Sequence, residues 1–385
     1  MNRNIYMTDE LQAIYDQTVA FVRAEVTPVG DEWEQAGRVP REILTEMGEL
    51  GMLGLRVPED RGGLGLGPLA SATFSEALGA STFAGFDVTV LVHTDMAAPH
   101  LLNAASEDQL ERFLPGVLDA STICAIAVTE PDAGSDVAAM RTRAVRDGDG
   151  WRLNGTKMFI TNGVYGDLVI VAARTDPDER YGISMFLLEH GTEGFDVATK
   201  LDKHGWLCSD TAELVFDDVW VPDENMLGAE HRGFYEIMKN FQNERMVLVG
   251  MGVGAAQEAI DLTLAHTQGR SAFGATLFDL GAIRQRMGMN QAKLDAVRAS
   301  LYHSAWLMEQ GVDATKEISG VKAWGAEVVN QIVYDCVQFH GGTGYIRKTA
   351  VERIARDVRI LPIGGGATEV MLEEVAKRSH VGSGR

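Results

Sequence analysis

The segment TICAIAVTE, residues 122–130, begins a change in hydrophobic period that decides the fold. Before it, apolar residues recur every three to four positions, as they do on one face of a helix. After it, β-branched runs bounded by turn residues continue as GWRLNGTKMFI (150–160), LVIVAART (168–175), GISMFLLE (182–189) and TAELVFDDVWV (211–221). From about residue 233 the helical period returns. We therefore expect an α+β multidomain chain with a β-sheet between two helical parts.

The expected domains are an N-terminal α-helical domain (1–120), a middle antiparallel β domain (121–232) and a C-terminal α-helical bundle (233–385). Thr8 is a candidate N-cap for the first helix. The tetrapeptide DGDG at 147–150 lies between two alternating runs and predicts a hairpin turn with positive φ, which favours antiparallel strands. No repeat or low-complexity linker separates the three parts, so we expect them to pack tightly.

Composition excludes several classes of function. The 34 Lys and Arg residues against 55 Asp and Glu residues give a formal charge of −21, which repels nucleic acid and anionic membranes. Cys124, Cys208 and Cys336 form no disulfide framework or zinc motif, and this pattern predicts a cytoplasmic location. The longest apolar stretch (86–92) is far shorter than the roughly 20 residues of a membrane span, so we expect neither membrane insertion nor secretion. The nine histidines lack paired metal-ligand spacing, and we assign no metal.

The segment FYEIMKNFQNERMVLVGMGVGAAQEA, residues 234–259, holds an acidic residue in an apolar stripe. The stripe repeats every three to four positions and consists of Ile237, Phe241, Leu248, Met251 and Ala255. Glu244 fills the position missing from it. Burial disfavours the charged form of a carboxyl group, which gives it the raised pKa that a general base near neutral pH needs. A structural ion pair with a distant Arg is the alternative; Arg245, about 100° away on the helix, is not the obvious partner.

The same segment contains a possible dinucleotide motif. Gly250, Gly252 and Ala255 fit the pattern G-x-G-x-x-A. The helical period runs through them without a turn, and no strand–helix–strand context follows. We therefore interpret these small residues as sites of close helix packing.

Two strand-like segments could hold a ligand. AVTEPDAGSD (127–136) runs into a turn whose N–H groups and hydroxyls suit a ligand edge rich in acceptors. KMFITNG (157–163) offers Phe159 and Thr161 on one strand face, an aromatic plane beside a hydroxyl. An ordinary strand end is the alternative for each segment.

Two glycine-rich segments lie in the helical part. They are QFHGGTGY (338–345) and LPIGGGATEVMLEEVAKR (361–378). Glycines before a helix let a ligand approach the unpaired N–H groups of its first turn. A tight interhelical turn is the alternative for both.

Taken together, these motifs resemble those of the acyl-CoA dehydrogenase family over nearly the whole chain. The resemblance rests on VPEDRGGLGL (57–66), AVTEPDAGSDV (127–137), LNGTKMFITNG (153–163), KHGWLCSDTAELVFDDVWVP (203–222), GRSAFG (269–274), VQFHGGTGY (337–345) and PIGGGATEV (362–370). It implies a three-domain flavoprotein of fatty acid metabolism that binds FAD and forms a homotetramer, a pair of dimers. It further implies an acyl-CoA substrate and an electron-transfer flavoprotein as oxidant.

The resemblance also implies which residues bind FAD. In this family the isoalloxazine ring lies against the positions of Ile126, Val128 and Thr129, with Ser135 nearby and Phe159 and Thr161 on its other side. The adenosine diphosphate half, bound by a neighbouring subunit, is reached by Arg270, Phe273, Gln338, Gly341 and Gly342. The substrate-binding residues that it implies are Ser135, Phe241 and Arg245.

The catalytic base departs from the commonest family pattern. Many members carry it as Glu in a tail motif E-G-T, where this chain reads Gly-Gly-Ala at 365–367. A subset that resembles the long-chain and isovaleryl enzymes has a Glu-Arg pair on the first bundle helix instead. Glu244 and Arg245 match that pair, so the resemblance and the apolar stripe both indicate Glu244.

The implied reaction is α,β-dehydrogenation of an acyl thioester to a trans-2-enoyl-CoA. Glu244 removes the α-proton while the β-hydride passes to flavin N5. The N–H of Gly365 is our candidate donor to the thioester oxygen, and in the family a ribityl hydroxyl of the flavin is the second donor. Gly281, Ala367 and Glu369 depart from the family pattern, which leaves some flavin contacts open.

The sequence leaves three alternatives open. Related proteins oxidise acyl groups on carrier proteins or pass electrons to oxygen, and a flavin-free helical scaffold could retain the same motifs. The glycines at 364 and 365 leave one side of the pocket roomy, which favours long or branched acyl chains.

Overall fold

Seven helices form the N-terminal part of the computed structural model, which describes residues 5–379. They are α1 (Asp9–Phe21), α2 (Gly30–Ala36), α3 (Arg41–Glu49), α4 (Pro68–Leu78), α5 (Ala84–Leu91), α6 (Ala98–Ala104) and α7 (Glu107–Leu118). Thr8 caps α1 as expected, since its hydroxyl accepts a hydrogen bond from the N–H of Leu11 at 3.2 Å. This part also contains two π-helices, whose turns are wider than those of an α-helix, at Val22–Val26 and at Val92–Ala97.

The middle part is a mixed β-sheet. Its strands are β1 (Cys124–Ala127), β2 (Arg143–Asp147), β3 (Gly150–Thr161), β4 (Leu168–Arg174), β5 (Ile183–Glu189), β6 (Phe195–Lys200), β7 (Thr211–Pro222) and β8 (Met226–Leu227). They lie in the order β6-β7-β3-β2-β4-β5-β8, and β1 pairs with β4. The hairpin between β2 and β3 is confirmed, with Gly148 at φ +64°.

The expectation of an antiparallel sheet is correct for most pairs and wrong for β1. This strand runs parallel to β4, with Cys124 opposite Leu168, and Arg143 of β2 pairs in parallel with Arg174 of β4. The chain between β1 and β4 contains the whole β2–β3 hairpin, which is long enough for the crossover that parallel strands require.

Five helices form the C-terminal bundle: α8 (Gly233–Gly269), α9 (Gly281–Glu309), α10 (Thr315–His340), α11 (Ala350–Val358) and α12 (Thr368–Ser379). A small hairpin of β9 (Ser271–Ala272) and β10 (Ala275–Thr276) follows α8. The sequence did not predict this hairpin, because two residues per strand are too few to show a period. The expected order of helices, sheet and helical bundle is thus confirmed.

Helix α8 forms the centre of the molecule. By length and composition alone it could cross a membrane, but 72% of its most apolar window is buried inside the protein. Its apolar residues join those of α4, α9 and α10 in one core. The helix is therefore a core helix of this protein.

The glycines of α8 serve helix packing. A Cβ on Gly254 would lie 1.9 Å from the carbonyl oxygen of Glu76 on α4, and one on Gly250 would lie 2.0 Å from the hydroxyl of Ser75. The helix continues through both positions without a turn. The structure thus agrees with our interpretation of these residues and not with a dinucleotide loop.

We expect the substitution Gly254→Ala to destabilise the protein, because its methyl group would collide with the backbone of α4. Overpacking of this kind costs about 1–3 kcal/mol of unfolding free energy, measurable as a lower urea midpoint. Gly320→Ala on α10 is the matched control, since its Cβ would lie 3.7 Å from Val375. The control should be neutral or stabilising by up to about 1 kcal/mol through helix propensity. Equal midpoints for the two variants would contradict the packing argument.

Candidate active site

Glu244 lies at the end of the first third of α8, where it is partly buried. Burial raises the pKa of its carboxyl group to about 7, while a hydrogen bond from Asn240 and the charge of Arg245 oppose the rise. The Asn240 amide donates to Oε1 of Glu244 at 3.1 Å. A carboxyl group with this pKa can accept a proton near neutral pH and release it again.

The amide of Asn240 is itself held by the π-helix Val92–Ala97. Its Nδ2 also lies 3.1 Å from the carbonyl oxygens of Asp95 and of Met96, so its two N–H donors are shared among these oxygens and Oε1 of Glu244. In a regular helix the carbonyl of Asp95 would bond to the N–H of residue 99, but Pro99 has none. The wider π-turn leaves this carbonyl free for a side chain of another helix. The orientation of Glu244 therefore depends on residues of the N-terminal part.

The same π-helix also positions β1. His93, which is buried, accepts a hydrogen bond from the N–H of Cys124 at Nδ1 (3.0 Å), and its Nε2 lies 2.8 Å from the carbonyl oxygen of Val117. Burial lowers the pKa of His93 to about 4, so the ring is neutral. We assign the proton to Nε2, because Nδ1 serves as the acceptor. One π-helix thus connects the first sheet strand with the helix that carries Glu244.

The expected flavin residues of the sheet lie close together. The N–H of Met158 on β3 donates to the carbonyl oxygen of Thr129 at 2.8 Å, which joins the two segments. Side chains with an accessible surface follow on both, namely Ile126, Val128, Thr129, Phe159 and Thr161. Simple strand alternation does not explain the last two, because a bulge lies between Lys157 and Ile160. Phe159 has φ +63° and is 65% exposed, so the bulge turns its ring outward.

A buried ion pair fixes the turn after β1. Nζ of Lys157 donates to Oε1 of Glu130 and to the carbonyl oxygen of Val128, both at 2.9 Å. The Glu130 carboxylate also accepts from the N–H groups of Arg141 (2.6 Å) and Thr142 (2.9 Å). These bonds hold the backbone of the AVTEPDAGSD segment, and Ser135 of the same turn is exposed to solvent.

The loop before α12 approaches α8 beside Glu244. Gly365 has φ +60°, and a Cβ there would lie 2.2 Å from the side chain of Leu248. A Cβ on Gly366 would lie 3.4 Å from Nε of Arg245. Within residues 5–379, the N–H of Gly365 donates to no acceptor, and the residue is exposed. An unpaired N–H therefore lies on the loop that borders the Glu244 turn.

Phe241 and Arg245, the two expected substrate-binding residues that remain, flank Glu244 on α8. The guanidinium carbon of Arg245 lies 5.4 Å from the centre of the Phe241 ring. Burial lowers the pKa of Arg245, and the charge of Glu244 opposes that change. The structure therefore brings together Phe241, Glu244 and Arg245 with the Gly365 loop.

The other expected cofactor residues lie elsewhere. Arg270 and Phe273 follow the end of α8, about 39 Å along the helix from Glu244. Gln338, Gly341 and Gly342 end α10. The rings of His266 and His340 stack with centroids 4.4 Å apart, so the two helix ends adjoin. This second group does not belong to the Glu244 site of the same chain.

Sequence reasoning missed three polar residues that support the site. Asn240 lies four positions before Glu244, a spacing at which helical side chains interact. Lys157 and Lys322 are single cations in apolar surroundings, and both are buried. The π-helix could have been anticipated from Pro99, because a proline inside a helical pattern removes a backbone hydrogen bond. In the described part of the chain, no cluster of three His, Cys, Asp or Glu side chains could hold a metal.

The residues around β1 fit a flavin. Within the described sheet, β1 pairs with β4 only. On its other edge, side chains already bond the N–H and C=O of Cys124 and the C=O of Val128, which leaves the peptide groups around Ile126 for a ligand. A heteroaromatic ring with alternating donors and acceptors can bind such an edge. Phe159 supplies an aromatic plane and Thr161 a hydroxyl beside it. The donor set of the sheet is therefore compatible with an isoalloxazine ring.

Three acyl-CoA dehydrogenase domain families match the chain. The N-terminal domain matches residues 8–121, the middle domain residues 125–219 and the C-terminal domain residues 231–380. The mitochondrial long-chain specific acyl-CoA dehydrogenase of Sus scrofa is 38% identical over 363 residues, 93% of this chain and 83% of that protein. The mitochondrial isovaleryl-CoA dehydrogenase of Pongo abelii is 35% identical over 361 residues, 92% of this chain and 85% of that protein.

Solved structures agree with these similarities. A probable acyl CoA dehydrogenase from Mycobacterium abscessus superimposes with a TM-score of 0.94 at 38% identity, covering 97% of this chain and 100% of that chain. The FAD complex of PigA has a TM-score of 0.94 at 26% identity, covering 98% and 99%. Fold, site and similarity together define a flavoprotein oxidoreductase. The chain belongs to the acyl-CoA dehydrogenase family, whose cofactor is FAD, and the resemblance inferred from the motifs is confirmed.

We expect the substitution Asn240→Leu to raise the pKa of Glu244 further. The Asn240 amide stabilises the carboxylate form, so its loss favours the protonated form, and proton abstraction then requires a higher pH. A hydrogen bond to a charged group corresponds to about one pH unit or more. The measurement is the pH dependence of flavin reduction by an acyl-CoA. Gln242→Leu, which replaces a neighbouring amide, is the control, and an unshifted acidic limb in Asn240→Leu would contradict this role.

Proposed function

We propose that this protein catalyses the FAD-dependent α,β-dehydrogenation of an acyl-CoA thioester to a trans-2-enoyl-CoA. The observation that carries the proposal is the Glu244 carboxyl group, whose pKa burial raises to about 7, beside a loop with an unpaired N–H at Gly365. A base and an oxyanion donor on adjoining backbone segments are the two groups that enolate formation requires.

The two groups act on neighbouring atoms of the substrate. The N–H of Gly365 donates to the thioester carbonyl oxygen and stabilises the negative charge that develops there. Loss of one such donor typically costs about 10²–10³ in rate. Glu244 takes the α-proton, and Asn240 keeps its carboxylate oriented. When bound, FAD supplies the acceptor for the β-hydride.

The proposed cofactor site has two parts. Ile126, Val128, Thr129, Ser135, Phe159 and Thr161 contact the flavin end, and Ser135 also faces the substrate with Phe241 and Arg245. The adenosine diphosphate end belongs to Arg270, Phe273, Gln338, Gly341 and Gly342 of a neighbouring subunit. The distance of about 39 Å between Glu244 and Arg270 supports this division, since both groups cannot serve one site within a chain.

We further propose a homotetramer built as a pair of dimers. Large apolar side chains around the second group are exposed, namely Phe273 (99%), Tyr345 (85%), Tyr334 (67%) and Ile346 (62%). Exposed apolar side chains concentrated in one region are typical of a protein interface. A second copy that covers this region would complete the cofactor site.

We also propose domain boundaries at 120/121 and 232/233. They fit the order of helices, sheet and helical bundle, because the first follows α7 and the second precedes α8.

The substrate pocket favours long or branched acyl chains. Gly364 and Gly365 carry no side chain on that side of the site, and the loop leaves Gly365 exposed. We propose fatty acid metabolism as the role, an electron-transfer flavoprotein as electron acceptor and the cytoplasm as location. The three cysteines are free and buried, which supports a reducing compartment.

We expect the substitution Glu244→Gln to abolish bleaching of the flavin by acyl-CoA, because the amide cannot accept the α-proton. The protein should stay folded and yellow, since the substitution keeps the shape of the side chain. The measurement is anaerobic absorbance against acyl-CoAs of graded length and branching. Glu236→Gln, two turns earlier on α8, is the control and should bleach normally. Flavin reduction near the wild-type rate in Glu244→Gln would refute the assignment of the base.

Three further measurements on the purified protein separate the alternative functions. Reduction by an acyl carrier-protein thioester but not by an acyl-CoA would change the substrate class. Release of hydrogen peroxide under air would identify oxygen as acceptor. A colourless protein that refuses added FAD would support a flavin-free scaffold.

We expect the substitution Phe273→Asp to dissociate the tetramer and release FAD, because it places a charge in the proposed interface. Light scattering after size-exclusion chromatography measures the mass, and the absorbance ratio of flavin to protein measures the cofactor. Val312→Asp is the control, since Val312 is 49% exposed and lies before α10, at the opposite end of that helix. A variant that remains tetrameric and fully loaded would contradict the shared cofactor site.

A further inference from the structure

Lys322 is a buried cation that the proposed mechanism does not use. It lies on α10 and is 1% exposed. Its Nζ donates to three carbonyl oxygens of one loop, those of Leu361 (2.5 Å), Gly364 (2.9 Å) and Gly366 (3.1 Å). An ammonium group has three donors, so the loop satisfies all of them. Within residues 5–379, no carboxylate acts on its charge, and Arg245 is the charged group that does.

The burial of this charge is costly to the fold. Desolvation lowers the pKa of Lys322 to about 8, and the charge of Arg245 on α8 adds to the effect. The neighbours of Lys322 are apolar: Leu248, Val249, Gly325, Ala326, Val329 and Leu361 line a small gap beside it. An apolar side chain would suit these surroundings better than an ammonium group. A buried charge without an opposite charge indicates a role beyond packing.

The position of the three carbonyls indicates that role. The C=O of Gly364 and the N–H of Gly365 belong to one peptide group. A cation at the oxygen of an amide draws electron density from its N–H, which then becomes a stronger donor. The carbonyls of Leu361 and Gly366 bracket this peptide and fix the loop on both sides. The unpaired N–H of Gly365 is therefore both oriented and polarised from α10.

We propose that Lys322 is a positioning residue for the thioester: its ammonium holds the 361–366 loop and polarises the 364–365 peptide, so that Gly365 N–H binds the enolate oxygen. This inference rests on the proposed function and extends it, because it names a residue that acts through the oxyanion donor. Lys322 itself does not reach the substrate. The charged group that acts on it is Arg245 on α8, and Arg245 is in turn influenced by Glu244 on α8 and by Glu374 and Arg378 on α12.

The test uses an equilibrium that a purely structural role would not change. A 3-oxoacyl-CoA has an acidic α-carbon, and its enolate absorbs in the near ultraviolet, apart from the visible band of the flavin. We choose 3-oxododecanoyl-CoA, bound to the holoenzyme and titrated with pH. The apparent pKa of the bound probe reports how well the site stabilises the enolate, without any turnover.

We expect Lys322→Met to raise the apparent pKa of the bound probe by at least one unit, a tenfold loss of enolate stabilisation. Turnover with an acyl-CoA should fall by a similar factor in kcat, while KM changes less than threefold. Lys322→Gln keeps two donors but no charge, so its apparent probe pKa should lie between those of the wild type and Lys322→Met. Lys316→Met is the control on the same helix, since Lys316 is exposed, and it should match the wild type.

Two outcomes decide the matter. A probe pKa in Lys322→Met equal to that of the wild type, in a protein that holds FAD and melts normally, overturns the proposal. If Lys322→Met loses its FAD, the titration of Lys322→Gln decides by the same criterion. The result is separate from the fate of Glu244 as base, because enolisation of the probe is an equilibrium. If the flavin of Glu244→Gln is still bleached by substrate and the probe pKa is shifted in Lys322→Met, the assignment of Glu244 as base is refuted while the proposed role of Lys322 stands.

Discussion

The candidate site depends on the hydrogen bonds between the amide of Asn240 and the carbonyls of Asp95 and Met96. Pro99 removes the N–H that would otherwise pair with Asp95, and the π-helix presents the freed oxygen to α8. From the same π-helix His93 bonds to the start of β1. The three parts of the chain therefore meet at the π-helix Val92–Ala97, which sets the spacing between the sheet and Glu244.

Burial moves the two ionisable groups of the site toward each other on the pH scale. The pKa of Glu244 rises to about 7 and that of Lys322 falls to about 8. Arg245 lowers both values, so it favours the carboxylate and disfavours the ammonium. Each charge weakens the folded state, because desolvation opposes it. The chain retains them beside the 361–366 loop, where the proposed reaction develops a negative charge that needs donors, so we interpret their cost in stability as a requirement of that reaction.

The residues that the sequence revealed are those whose signal is local. Glu244 interrupts an apolar stripe, and the helical period through Gly250, Gly252 and Ala255 argues against a dinucleotide loop, in agreement with the close packing of Gly250 on α4. The parallel pairing of β1 escaped, because no local pattern distinguishes it from an antiparallel strand. Lys322 escaped for a related reason: its three partners lie about forty positions away, and only the folded chain brings them to one nitrogen. The bulge at Phe159 likewise depends on β7.

The parallel pairing of β1 with β4 has a consequence for the order of folding. Cys124 of β1 pairs with Leu168 of β4, which lies 44 positions later in the chain, whereas the β2–β3 hairpin between them pairs residues that are close in sequence. Pairings that are distant along the chain form late, because loop closure costs entropy before contacts repay it. During synthesis on the ribosome, the strand that faces the proposed cofactor stays single until β4 has left the exit tunnel. The proposed flavin site therefore requires β4 as well as β1, and the proposed base requires α8, which is synthesised later still.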